Sequence, residues 1–155
     1  MNYKRLAISL ALPQLAGAIG SLFTTSAIPN WYANLNKPSF NPPNWIFGPV
    51  WITLYILMGI SVYLVWQEVE KNKKSKNAVM LFWIHLIFNA SWSIIFFGLQ
   101  NLALAFINII IILAFIIILM IKFWKINKYS AYLLAPCLLW VSFAALLNYF
   151  IWYLN

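Results

Sequence analysis

Long apolar stretches alternate with short polar breaks from one end of the chain to the other. The apolar runs lie at about 6–28, 45–67, 78–99, 102–124 and 130–154. Each is roughly 22–25 residues, and a helix rising about 1.5 Å per residue needs about 20 to cross a hydrocarbon core about 30 Å thick. The pattern predicts an all-α membrane protein, a bundle of five transmembrane helices forming one domain over 1–155, with an outer cap loop at 29–44. Composition agrees: 65% of residues are hydrophobic and 8% charged, whereas a soluble domain carries about a quarter charged residues. The first run follows Lys4 and Arg5, as the apolar core of a signal peptide would. It is too long for that role and shows no small-x-small cleavage pattern near its end, so it is expected to be a retained span.

Within the spans, a few polar and proline positions interrupt the apolar pattern. In the first helix Pro13 removes a backbone donor and is expected to kink it. Ala16 and Gly20, and Gly17 and Ser21, stand four apart, a spacing that lets another helix approach closely. That seam suits either a dimer or packing within the chain's own bundle. In the second helix Trp51, Tyr55 and Met58 share a face, as do His85, Asn89 and Trp92 in the third. Helix four has Asn108 as its single deep polar residue. Helix five presents Trp140, Ala144 and Asn148 on nearly one face, after Pro136. The loop PNWYANLNKPSFNPPNW carries Pro29, Pro38, Pro42 and Pro43 with aromatic bulk, and reads as an ordered cap over one end of the bundle.

Charge then orients the bundle. The net charge is +8. One face of the membrane receives the N-terminus and the loops at 68–77 and 125–129. It holds Lys4, Arg5, Lys71, Lys73, Lys74, Lys76, Lys122, Lys125 and Lys128. Of the 10 basic residues only Lys37 lies on the other face. This asymmetry places the N-terminus in the cytoplasm and the C-terminus outside, with a bacterial plasma membrane as the expected location. The lysines are read as topology signals that meet anionic lipid headgroups, not as a nucleic-acid surface. The 2 acidic residues, Glu68 and Glu70, both lie on the basic face, and there is no Asp. His85 is thus the only ionisable group deep in the bilayer that is able to carry a coupling proton, which weighs against a proton-driven exporter. The sequence offers no paired carboxylates, no Ser–His–acid set and no metal-ligand cluster. No catalytic residue, metal site or required cofactor is assigned. A lone His lacks a second axial haem ligand, so His85 is expected to be a hydrogen-bonded core residue. The single Cys137 is read as a small buried hydrophobe.

The topology converts these positions into depths. Trp51, Asn108 and Asn148 fall roughly 9 Å below the outer helix ends, Trp92 roughly 10 Å and Asn89 roughly 15 Å. Amides are costly in hydrocarbon unless paired, so these groups should face inward. Two arrangements satisfy that requirement. One is a capped pocket lined by aromatic rings with a few polar anchors, suited to a flat hydrophobic ligand with polar edges. The other is a set of asparagines that staple helices together.

The run WYANLNKPSFNPPNWIFGPVWITLYILMGISVYLVW, residues 31–66, resembles the signature of the TspO/MBR family, which groups tryptophan-rich sensory proteins with translocator proteins, or peripheral benzodiazepine receptors. The resemblance continues through FNASWSIIFFGL at 88–99 and AYLLAPCLLWVSFAALLNYFIW at 131–152 and covers nearly the whole chain. It implies a five-helix bundle, commonly a homodimer, whose interior binds porphyrins such as protoporphyrin IX, benzodiazepine-type ligands and, in some members, sterols. Carried onto this chain, the ligand-binding positions are Tyr32 and Pro42 of the cap, Trp51, Asn89, Trp140 and Ala144. The implied function is a tetrapyrrole-binding sensor or translocator. Light-dependent porphyrin degradation and transport of hydrophobic small molecules are the alternatives. The chain departs from the family pattern at Phe40, where Trp is usual, at His85, where Gln is common, and at Asn108, where an acid is common. The sterol motif lacks its basic residue after Leu147-Asn148-Tyr149, so sterol binding is not expected.

Overall fold

The computed structural model describes residues 2–70 and 73–155; Lys71 of the basic loop lies outside the described residues. Five helices follow one another: α1 (Tyr3–Ala27), α2 (Asn44–Trp66), α3 (Lys73–Ser93), α4 (Leu102–Trp124) and α5 (Lys128–Leu154). α3 runs on through a wider π turn, Ile94–Gly98. With that extension, all five are long and apolar enough to cross a membrane. No strand occurs among the described residues.

Local chemistry sets the helix ends. Asparagines cap three of the helix starts: Asn2 Oδ1 accepts from the Arg5 amide at 3.1 Å, Asn101 Oδ1 from Leu104 at 2.9 Å and Asn127 Oδ1 from Tyr129 at 3.0 Å. Each satisfies a backbone donor that the first helical turn leaves unpaired. α3 begins at Lys73 rather than near 78. Lysine is a good helix former, and its long stem lets the ammonium stay in water while the backbone winds on. The short return from α3 to α4 is closed by Gln100 at φ 55°.

Around the bundle the helices pack in the order α1, α2, α5, α4, α3, and α3 closes the ring against α1. α1 tolerates these contacts because its small residues face its own neighbours. A Cβ on Gly17 would lie 2.5 Å from the Tyr55 ring, and one on Gly20 would lie 2.9 Å from Ser93 Oγ. The seam therefore serves packing within the chain. On the outside, Leu15, Leu22, Ile87 and Leu139 are exposed, as expected where lipid is the solvent. At the lysine-rich end Arg5 ties α1 to α2: Nη1 donates to the Trp66 carbonyl at 3.0 Å and Nη2 pairs with Glu70 at 2.6 Å.

The two ends of the bundle differ inside. Toward the lysine-rich end, Met58, Val62, Val65, Phe82, Ile116, Leu119 and Phe123 form a solid core, each fully buried. Toward the cap, no residue of α2 before Leu54 is buried. The helices there enclose space instead of side chains.

Candidate functional site

That space is a cavity of about 570 Å³ reached by residues of all five helices and of the cap. Its lid is the short helical turn Tyr32–Asn34. The Tyr32 hydroxyl donates to Asn41 Oδ1 at 2.9 Å, and Asn41 Nδ2 in turn donates to the Pro42 carbonyl at 3.1 Å. Burial raises the Tyr32 phenol above its ordinary 10.0, and the bond to Asn41 opposes that shift. Lys37 Nζ sits 4.8 Å from the Tyr32 ring centre and donates to the carbonyls of Ala33 and Leu35. The cap is also fastened to the end of α5. Asn36 N donates to Asn155 Oδ1 and Asn155 Nδ2 returns a bond to the Asn36 carbonyl, both at 2.9 Å.

Aromatic rings and carboxamides build the walls. The Trp51 and Tyr55 rings of α2 are 5.5 Å apart and tilted by 31°. Tyr55 donates to Asn89 Oδ1 of α3 at 2.8 Å. Trp92 stacks on Phe96 at 5.0 Å and donates through Nε1 to Asn148 Oδ1 of α5 at 3.1 Å. Asn148 Nδ2 donates to the Leu102 carbonyl at 3.2 Å. Trp140 lies edge-on to Phe47, 5.9 Å between ring centres. No residue lining the cavity carries a formal charge.

Two buried donors have no protein partner: Asn89 Nδ2 and Trp140 Nε1. Both belong to residues of the cavity wall. A buried donor left unpaired costs about 1–3 kcal/mol, so each is a position where an acceptor brought by a guest is favoured.

Five of the six positions assigned from sequence line this cavity: Tyr32, Trp51, Asn89, Trp140 and Ala144. Pro42 does not. Its carbonyl is taken by Asn41 and its place is in the chain leading into α2, where Asn44 and Trp45 reach the wall instead. Asn108 also stays out of the cavity, because Nδ2 is turned to Ser91 Oγ of α3 at 2.8 Å. His85 departs from expectation too. It is fully buried, yet neither ring nitrogen has a hydrogen-bond partner. Phe82 and Phe115 flank it, with ring centres 6.1 and 6.3 Å away. Among the described residues no three His, Cys, Asp or Glu side chains gather as metal ligands. The contribution missed from sequence is that of α1, whose Gln14, Gly17, Ala18, Ser21, Thr24 and Thr25 line one side. The four-residue spacing of Gly17, Ser21 and Thr25 was the available signal.

Fold and cavity together define a class: an all-helical, five-span membrane protein with a tryptophan-lined chamber under a proline-rich cap. The family model for TspO/MBR matches residues 9–154. The chain belongs to the TspO/MBR family. It is 39% identical over 155 residues to the tryptophan-rich protein TspO of Archaeoglobus fulgidus, covering 100% of this chain and 99% of that one. It is 36% identical over 141 residues to the translocator protein of Homo sapiens, covering 90% and 83%. The tryptophan-rich sensory protein of Cereibacter sphaeroides is 33% identical over 135 residues, covering 85% and 83%.

Proposed function

We propose that this protein binds a tetrapyrrole such as protoporphyrin IX in the cavity and serves as a membrane sensor or translocator. The observation that carries this reading is the pair of unpartnered donors, Asn89 Nδ2 and Trp140 Nε1, in an otherwise apolar, aromatic wall. A flat conjugated ring stacks favourably on indole faces, and acceptors at its edge satisfy the two donors. A volume of about 570 Å³ falls within the range of small-molecule sites. The names of relatives, translocator protein and tryptophan-rich sensory protein, agree with such a role. In this reading the lysine-rich end faces the cytoplasm of a bacterial plasma membrane and meets anionic lipid, and the cap and C-terminus lie outside. The protein works as a homodimer, and its binding role requires neither a metal nor a resident cofactor.

The test is titration of the purified protein with protoporphyrin IX in darkness, followed by quenching of tryptophan fluorescence. Saturable quenching with a stable pigment spectrum is expected, weakened by Trp51→Phe and by Trp140→Phe. Absence of saturable binding refutes the assignment of the cavity.

A further inference from the structure

We propose that the cavity is entered sideways, from the hydrocarbon of the membrane leaflet on the cap side, through a portal between α1 and α2. The proposal rests on the cavity being the ligand site and adds the route by which a guest arrives.

The two helices touch at one end and part at the other. Near the lysine-rich half, a Cβ added to Gly59 of α2 would lie 2.5 Å from the Ser9 carbonyl oxygen of α1. At Gly48, about 16 Å further along the same helix, an added Cβ would meet nothing within 4 Å. At the angle of this V, Gln14 Nε2 of α1 donates to the Ile52 carbonyl of α2 at 3.2 Å. Above that bridge the edges are Ala18, Ser21 and Thr25 on one side, Gly48 and Ile52 on the other. All five line the cavity and all five are exposed on the outside of the bundle. A residue that meets both conditions marks an opening rather than a wall. Ser21 lies about 9 Å from the end of α1, inside the hydrocarbon layer and below the headgroups.

The chemistry of the rim favours an apolar traveller. The Ser21 hydroxyl donates to Ala18 O at 2.7 Å and the Thr25 hydroxyl to Ser21 O at 2.9 Å. These side chains are polar in name, yet their donors are turned into their own helix. Beyond the rim lies the unpartnered amide of Asn89, which is 4% exposed. Axial entry is the poorer path. Tyr32–Asn41, Lys37 and the paired Asn36 and Asn155 amides hold the cap across that end. A flat, membrane-dissolved ring slides between α1 and α2 without breaking any of these bonds.

The test uses the full chain in lipid nanodiscs, carrying Ser21→Cys. Protoporphyrin IX is bound first, the new thiol is capped with a benzyl methanethiosulfonate, and release into excess empty nanodiscs is followed by tryptophan fluorescence. A plugged portal slows release and, in a separate sample capped while empty, slows association, each by about tenfold or more. Reductant restores both rates. The unsubstituted chain controls for Cys137, which is fully buried. Unchanged rates overturn the portal, and so does faster release, because faster release means that the cap has damaged a binding site. Failure of the unmodified protein to bind porphyrin is a failure of the functional reading instead. The portal then stands or falls on access alone. A membrane-partitioned methanethiosulfonate should label Ala144→Cys in the otherwise native chain and be blocked by adding Gly48→Trp. Equal labelling in both refutes the route.

Discussion

The hydrogen bond from Tyr55 to Asn89 gives the cavity a testable energetic signature. Tyr55→Phe removes the partner of Asn89 Oδ1 and leaves the whole carboxamide unpaired, since Nδ2 already has none. That costs about 1–3 kcal/mol of stability. Adding Asn89→Leu removes the stranded amide and fills its place with a side chain of similar size. Replacing both members of a buried pair by apolar groups is close to neutral or stabilising. The double variant is therefore expected to regain what Tyr55→Phe lost and to match or exceed the parent, which itself carries one unpaired donor. Binding should move the other way. Losing one hydrogen bond of about 0.5–1.5 kcal/mol weakens protoporphyrin IX affinity roughly twofold to tenfold wherever Asn89→Leu is present. Reversible unfolding in mixed micelles, read beside fluorescence titrations, gives both quantities for the four proteins of the cycle. A double variant no more stable than Tyr55→Phe alone would show that the Asn89 amide is satisfied in the empty protein, and the argument from unpaired donors would fail.

Other outcomes follow from single contacts. Gly59→Ala should destabilise the bundle by about 1–3 kcal/mol in the same unfolding assay, because the new methyl meets the Ser9 backbone and not a movable side chain. Gln100→Gly should stabilise it by about 1 kcal/mol or less, since Gln100 sits at φ 55°, where a Cβ is penalised. The raised Tyr32 phenol makes a stability contribution that is intact below the ordinary value of 10.0 and is lost as pH climbs through the raised one. Tyr32→Phe should accordingly flatten that part of the alkaline unfolding curve.

Span length and hydropathy made the five helices legible, because in lipid a backbone has few ways to satisfy itself other than winding into a helix. The indoles and amides of Trp51, Asn89 and Trp140 were legible as inward-facing for the same reason. What escaped depended on rotation about each helix axis. Asn108 and Asn148 lie at similar depth, yet one turns to Ser91 and the other to Trp92. Hydropathy does not distinguish those two directions. The small residues of α1 suit close packing and a cavity rim equally well, and the structure uses them for both: Gly17 abuts Tyr55 while Ser21 borders the opening. His85 was expected to find a partner because buried imidazoles usually do, but its neighbours include the phenyl rings of Phe82 and Phe115.

The wide turn at the end of α3 has a consequence for how this chain tolerates change in length. Leu99 N reaches back to the Ile94 carbonyl at 2.8 Å and Asn101 N to the Ile95 carbonyl at 3.2 Å, each spanning more residues than a regular helical bond. The segment thus holds one residue more than its length of α-helix requires, a local change of phase that brings both Phe96 and Phe97 to the cavity. Deleting one residue there would restore ordinary winding and rotate everything after it by about 100°. Two rings would lose their direction, and the hinge into α4 would point elsewhere. Elsewhere in α3 a deletion shortens the helix. Here it would rewrite which side chains look inward.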